Sequence, residues 1–187
     1  PELAEYLIDV YQEFHHNGEH EQVEILFEGA QGFGLDVDWG DYPYVTSSHC
    51  TVGGAVLNGV PAHSIRKVYG AAKIYETYVG AKEFGMTEGI EAKVIREFGE
   101  EFGATTGRPR KIDWFDIDSV SKAIDINGLT TLVINKVDVL EKVGKFILYH
   151  GEDKFEFDSI QDMQHYIEEH LKREGMEIIF SGHKDKI

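Results

Sequence analysis

The sequence predicts an α/β protein with a mostly parallel central sheet flanked by helices. Three observations predict it. Short runs rich in β-branched and apolar residues alternate along the chain with stretches whose apolar residues recur at helical spacing. Residues 23–27 are almost continuously apolar, broken only by Glu24, as in a strand covered on both faces. Hydrophobic residues fill 42% of the 187 positions and aromatic residues 12%, enough to build a core beneath such a sheet.

In chain order, the first element is an amphipathic helix over residues 2–16, with Leu3, Leu7, Val10, Tyr11 and Phe14 on one face. The polar stretch from His15 to His20 ends it. After the strand at 23–27, residues 29–59 are irregular and dense in Gly, Asp, Thr and Ser, and loops of that length usually carry function. Residues 68–79 have a strand-like mixture, and residues 90–102 form a second amphipathic stretch. Residues 103–111 must be a loop, because Gly107 and Pro109 interrupt helix and ladder alike. Asp118 or Ser119 N-caps a helix that ends near Asn127-Gly128. Residues 130–134 are a β-branched strand, and 146–149 with 155–157 form a hairpin around Gly151-Glu152-Asp153. Ser159 caps a helix running to Glu174, closed by Gly175, and residues 177–180 are a last strand. No internal repeat or low-complexity linker divides the chain, so residues 1–187 read as one domain. The opening Pro1-Glu2-Leu3 runs straight into a helical pattern without a methionine, which reads as the later part of a longer polypeptide.

Charge narrows the function classes. Eighteen basic against 34 acidic residues give a net charge of −16, which repels nucleic acid and anionic membranes. No apolar run reaches the roughly 18 residues of a membrane span. A cytoplasmic protein, without a nucleic-acid or membrane partner, is the expectation. The single Cys50 excludes an intrachain disulfide and an all-cysteine metal site.

The sharpest short motif is Asn135-Lys136-Val137-Asp138, delivered at the carboxyl end of a strand, where α/β sheets bind ligands. An Asp carboxylate can accept from N1–H and the 2-amino group of guanine, while a Lys stem lies across the purine face. A capped turn after a strand explains the same four residues. Arg108, Arg110 and Lys111 are the densest basic cluster, on a loop with Thr105, Thr106 and Gly107. Arg forks match carboxylate and phosphate bidentately, which suits a small anionic ligand; a solvated loop with surface ion pairs is the alternative. Gln31, within Glu28-Gly29-Ala30-Gln31-Gly32, can bond a base edge. Thr46, Ser47 and Ser48 can donate to phosphate, although residues of these types are ordinary turn formers. Asp36, Asp38 and Asp41 read as a solvated turn, since no bidentate Glu closes a calcium loop. Neither a Gly-x-x-x-x-Gly-Lys loop nor Gly-x-Gly-x-x-Gly occurs.

Three segments together resemble the adenylosuccinate synthetase family. They are Leu26-Phe27-Glu28-Gly29-Ala30-Gln31-Gly32 continuing to Tyr42-Pro43-Tyr44-Val45-Thr46-Ser47-Ser48, then Glu101-Phe102-Gly103-Ala104-Thr105-Thr106-Gly107-Arg108, then Asn135-Lys136-Val137-Asp138. The resemblance implies a P-loop-NTPase-related fold whose N-terminal part is missing here, residues 1–187 being the C-terminal part of one such domain. It implies a C–N ligase that phosphorylates the C6 oxygen of a purine monophosphate and then lets the amine of L-aspartate displace phosphate. By that likeness, Gln31, Thr46, Val79 and Arg108 contact the monophosphate. Thr105, Thr106, Arg108 and Arg110 grip aspartate. Asn135, Lys136, Asp138, Ser181 and Gly182 surround the base of the triphosphate. The general base, the acid and the Mg²⁺ ligands are expected upstream, leaving no catalytic or metal residue in this chain. The family also implies a homodimer.

Departures from the family pattern cluster around the sugar and the triphosphate base. Pro109 interrupts the usual arginine run, residues 77–88 read Thr-Tyr-Val-Gly-Ala-Lys-Glu-Phe-Gly-Met-Thr-Glu, and the usual Ser-Thr-Gly-Pro reads Phe180-Ser181-Gly182-His183. These changes are similar to the phage branch of the family, which acts on dGMP in the host cytoplasm. They imply dGMP ahead of IMP as acceptor. GTP, or ATP or dATP, is the phosphoryl donor; a guanine-nucleotide-binding switch, which shares Asn135-Lys136-Val137-Asp138, or a non-catalytic nucleotide-binding module is the alternative of a different class.

Overall fold

The computed structural model describes residues 25–86, 89–104 and 107–182. It divides into two compact units, Pro1–Arg66 and Lys67–Ile187. The helix expected over 2–16 lies outside the described residues, as do Thr105 and Thr106. Of the expected strand at 23–27, residues 25–27 are irregular, with Leu26 87% exposed. A strand needs a ladder partner, and among the described residues nothing pairs with this segment.

Among its described residues, the first unit holds short 3₁₀ turns at Phe33–Leu35 and Ala62–Ser64 and one short helix, α1 (Gly53–Leu57). Main-chain bonds close the segment on itself: the Asp41 amide donates to the Gly34 carbonyl at 3.0 Å and that of Val37 to Ser48 at 3.2 Å. Asp36 organises this loop and is only 1% exposed. Its Oδ1 accepts from the amides of Asp38 (2.9 Å) and Trp39 (3.0 Å), and its Oδ2 from that of Cys50 at 2.5 Å. Burial alone would raise its pKa, but the donations from Asp38, Trp39, Cys50 and Thr51 outweigh it and hold the carboxyl below its ordinary range. The solvated turn expected for Asp36 is thus a buried, hydrogen-bonded anchor. Gly40 is held to glycine by space, since a Cβ there would lie 2.5 Å from the Gly34 carbonyl oxygen.

In the second unit, β1 (Tyr69–Lys73) and β2 (Tyr75–Tyr78) are separated only by Ile74, which is fully buried. The Ile74 amide donates to the Asn135 carbonyl at 3.0 Å. The stretch 68–79 therefore breaks at Ile74 and serves two sheets. One sheet has the order β1-β4-β7, with β4 (Thr131–Asn135) and β7 (Glu177–Phe180) both in parallel ladders. The other has the order β2-β3-β5-β6, where β3 (Lys111–Asp116) runs parallel to β5 (Phe146–His150). Antiparallel pairs with β2 and with β6 (Asp153–Phe157) flank it. The parallel bias holds, but the strands make two sheets rather than one.

Four helices pack with these sheets: α2 (Ile90–Phe98), α3 (Ile117–Asn127), α4 (Val137–Val143) and α5 (Ile160–Leu171). The cap of α3 is Asp116, whose Oδ1 accepts from the amides of Asp118 (2.9 Å) and Ser119 (3.2 Å). The two residues expected as caps are thus the cap's donors, because β3 feeds the helix without an intervening loop. Ser159 caps α5 as the sequence indicates, accepting from the Asp162 amide at 3.1 Å. That helix stops at Leu171, before Glu174, where Lys172 turns extended and Arg173 Nη1 donates to the carbonyls of His170 and Leu171 at 3.3 and 3.1 Å. Ile95, Ile112, Phe115, Ile134, Leu148 and Met163, each at most 1% exposed, form the centre of the core. By the area rule each such side chain stabilises the fold by about 1.5–3 kcal/mol. Among the described residues no helix is long and apolar enough to cross a membrane.

Candidate functional site

The β-branched run of β4 ends at Asn135, and the chain turns at once into α4 through Lys136, whose backbone is left-handed with φ 65°. That conformation costs a side-chain-bearing residue about 1–2 kcal/mol and places Asn135 and Asp138 on one turn. The Lys136 ammonium donates to the Gly99 carbonyl at 2.9 Å. The segment after β7 is laid alongside: the Ser181 amide donates to Ile134 at 2.9 Å, and the Val137 amide donates to the Ser181 carbonyl at 3.2 Å. Gly182 lies so near that a Cβ added there would meet the Asp138 Cβ at 3.2 Å. All five residues expected around the triphosphate base are therefore brought together. Asn135 Oδ1 and Asp138 Oδ1 are both buried without a hydrogen-bond partner. Two orphaned acceptors on one turn match a ligand edge carrying two donors.

A second arrangement follows α2. Gly99 ends that helix, Glu100 adopts φ 54°, and Glu101 turns inward to 3% exposure. A Cβ at Gly99 would meet the Tyr75 hydroxyl at 2.4 Å and the Ile95 carbonyl oxygen at 2.6 Å, so only glycine lets the turn approach. The expected helix over 90–102 is cut short there. The Glu101 carboxylate accepts from Lys73 Nζ at 2.7 Å and from the Tyr75 hydroxyl at 2.9 Å, with Arg110 Nη1 at 3.5 Å. Burial lowers the Lys73 pKa against the pull of Glu101, while burial and then the Glu101 charge push that of Tyr75 up.

Beyond Glu101 the loop is closed by main-chain bonds, from Gly103 N to Arg108 O and from Gly107 N to Gly103 O, both 2.8 Å. Arg108 is exposed on it. The Arg110 amide returns to the Glu101 carbonyl at 2.9 Å, and its carbonyl accepts from Arg96 Nε at 2.9 Å. Its own Nε is buried without a partner. The β2–β3 ladder pairs Tyr78 with Lys111, so Val79 and Arg110 are the next residues on the two strands. Val79 and the arginine loop thus share one end of the sheet.

Gln31 and Thr46 belong to the first unit. Gln31 has φ 60°, and its Oε1 lies 3.8 Å from Cys50 Sγ. The Thr46 amide is pinned to the Leu35 carbonyl at 2.8 Å, within the loop that Asp36 organises. Burial, then the nearby Asp36 charge, push the Cys50 thiol up, which argues against a thiolate nucleophile. Among the described residues, one cluster has the ligand types for a cation: Asp36, Asp38 and His49. It does not fit Mg²⁺, because amides occupy Asp36 and His49 Nδ1 lies 3.1 Å from Asp38.

Sequence reasoning missed Glu101 and Asp36 as organisers, and missed the backbone strain. Among the described residues, the non-glycine positions with left-handed backbone are Gln31, Glu100 and Lys136, each within or beside one of the three motif segments. The available signal was an acidic residue opening a basic, Gly-rich loop.

The family model described as adenylosuccinate synthetase matches residues 1–164. The adenylosuccinate synthetase of Deinococcus radiodurans is 43% identical over 138 residues, covering 70% of this chain and 34% of that protein. That of Stenotrophomonas maltophilia is 51% identical over 123 residues, covering 65% and 29%. The solved, fully ligated adenylosuccinate synthetase of Plasmodium falciparum superposes with a TM-score of 0.81 at 28% identity, over 96% of this chain and 52% of that one. The chain thus spans about a third of the length of the curated relatives it matches. On the breadth of the family match and the shared α/β fold, the chain belongs to the adenylosuccinate synthetase family.

Proposed function

We propose that this protein joins L-aspartate to C6 of a purine nucleoside monophosphate at the expense of GTP. The C6 oxygen attacks the γ-phosphorus and GDP leaves; the aspartate amine then attacks C6, and inorganic phosphate departs with the oxygen. In this reading Asn135 and Asp138 accept from the guanine edge, with Ser181 and Gly182 beside them. The ammonium of Lys136 is held on Gly99, which leaves its methylene stem for the purine face. Thr105, Thr106, Arg108 and Arg110 grip the aspartate carboxylates, while Gln31, Thr46, Val79 and Arg108 contact the monophosphate. Mg²⁺ would neutralise the transferring phosphates when bound.

The observation that carries this reading is the polarity of the buried, unpartnered side-chain atoms among the described residues. Two are acceptors at the end of β4, and the third is the Arg110 donor on the anion loop. A guanine-nucleotide switch would require the acceptors alone. A dicarboxylate ligand accounts for the guanidinium as well. Adenine lacks the donor pair that the two acceptors fit, so ATP and dATP fall behind GTP.

IMP is the first choice of acceptor, since the relatives at 43% and 51% identity are adenylosuccinate synthetases. A second reading, dGMP, is favoured by the altered residues 77–88 beside Val79, because a deoxy sugar needs no partner for a 2′-hydroxyl. A homodimer goes with either. The test is phosphate release by the full-length protein with aspartate, Mg²⁺ and GTP, with IMP or dGMP as acceptor. Aspartate-dependent release with IMP alone selects the first acceptor, and release with dGMP alone selects the second. Nucleotide hydrolysis that ignores aspartate would refute the ligase.

A further inference from the structure

We propose that Glu101 is a positioning residue for Arg110, setting the guanidinium that meets the dicarboxylate substrate; this rests on the ligase reading above. Glu101 is 3% exposed. Its partners come from two separate stretches of the chain: Lys73 Nζ at 2.7 Å and the Tyr75 hydroxyl at 2.9 Å from either side of Ile74, and Arg110 Nη1 at 3.5 Å from the loop. A buried carboxylate is tolerated only when such donors surround it.

The geometry at Arg110 gives the cluster a direction. One end of the guanidinium faces Glu101, whereas Nε is buried with no partner. The main chain fixes the same pair, because the Arg110 amide donates to the Glu101 carbonyl at 2.9 Å. Glu101 therefore holds the fork at one edge and leaves the rest of the donor set for an incoming anion. Lys73 and Tyr75 share the carboxylate, which keeps the Glu101–Arg110 contact from closing into a tight bidentate pair that would compete with the ligand. Because the fork is pre-set, little rotamer freedom is left to lose when the substrate carboxylate arrives.

The test is steady-state kinetics of the full-length protein with aspartate and GTP varied separately. Glu101→Gln should raise the aspartate KM about tenfold or more and leave the GTP KM within about twofold. Glu101→Asp, which keeps the charge, should recover part of that loss. In an Arg110→Ala background, Glu101→Gln should add less than about twofold, since the residue through which it acts is gone. An equal rise in both KM values, or the same factor with and without Arg110, would overturn the assignment. If Glu101→Gln does not fold, Tyr75→Phe removes one donor to the carboxylate and no charge. It should raise the aspartate KM about threefold, and no rise would overturn the proposal. Failure of the ligase reading looks different, because the wild-type protein would then show no aspartate-dependent turnover.

Discussion

Replacing Asp138 by Asn separates binding from folding at the end of β4. The Asp138 Oδ1 is buried without a hydrogen-bond partner, so it adds nothing to the folded state through that atom and costs on the order of 1–3 kcal/mol as an unsatisfied group. Asp138 also lies in the first turn of α4, where a negative charge is worth about 0.3–1 kcal/mol. Asparagine leaves a polar atom buried at the same place, so that cost stays and only the charge is lost: Asp138→Asn should lower the unfolding free energy by no more than about 1 kcal/mol. Binding is another matter. Guanine presents two donors, shared between Asn135 and Asp138 in this reading, and an amide at 138 offers a neutral acceptor in place of a charged one and can turn an N–H against the same edge. Losing one charge-assisted bond of about 1.5–3 kcal/mol lowers affinity for GTP roughly 10- to 150-fold, with ATP little changed. The assay is competition of GTP and ATP in turnover, paired with a thermal melt. Equal loss for both nucleotides, or unaltered GTP use with a markedly lower melting temperature, would make Asp138 a structural residue and refute the reasoning.

Arg108→Ala should weaken aspartate use by about 2–5 kcal/mol while GTP binding stays near wild type, read from separate KM values. The Asp36 pKa lies below its unfolded value, so the stability it contributes is present above the unfolded carboxyl range near pH 4 and is lost as pH falls through its folded pKa. Hydrogen exchange at the Trp39 and Cys50 amides should show protection fading on acidification; Asp36→Asn should lower that protection by about 1–3 kcal/mol and flatten its acid dependence. Glu100→Gly relieves a left-handed backbone worth about 1–2 kcal/mol and costs about 0.4–1 kcal/mol through the unfolded chain. Urea unfolding should show a net gain of about 0.5–1 kcal/mol, whereas Glu100→Ala should show none.

Local pattern made much of this fold legible, and long-range burial hid the rest. The run before Asn135, the Ser159 cap and the Gly151 hairpin each depend on neighbours in sequence, and each stands where the sequence places it. Gathering Ser181 and Gly182 to Asp138 followed from the family likeness, because no local rule spans that distance. Glu101 was opaque for a physical reason: its partners Lys73 and Tyr75 lie 28 and 26 residues away, so in the sequence it is one more acidic residue in a chain of net charge −16. Asp36 misled in the same way, since a short aspartate-rich stretch is a surface turn until amides from residues as distant as Cys50 turn inward. The division of residues 68–79 between two sheets depends on where Ile74 is buried, which no alternation pattern specifies.

That single buried residue sets a phase between the sheets. Lys73 is the last residue of β1 and Tyr75 the first of β2, so they flank Ile74 two positions apart, and both reach the same carboxylate. Side chains repeat every second residue in extended chain, so adding or deleting one residue here would swing Lys73 or Tyr75 to the opposite face. Glu101 would then keep one of these donors and lose the other. The seam where the two sheets meet is thus keyed like a ratchet tooth: strands may lengthen at their outer ends, but the junction admits one spacing.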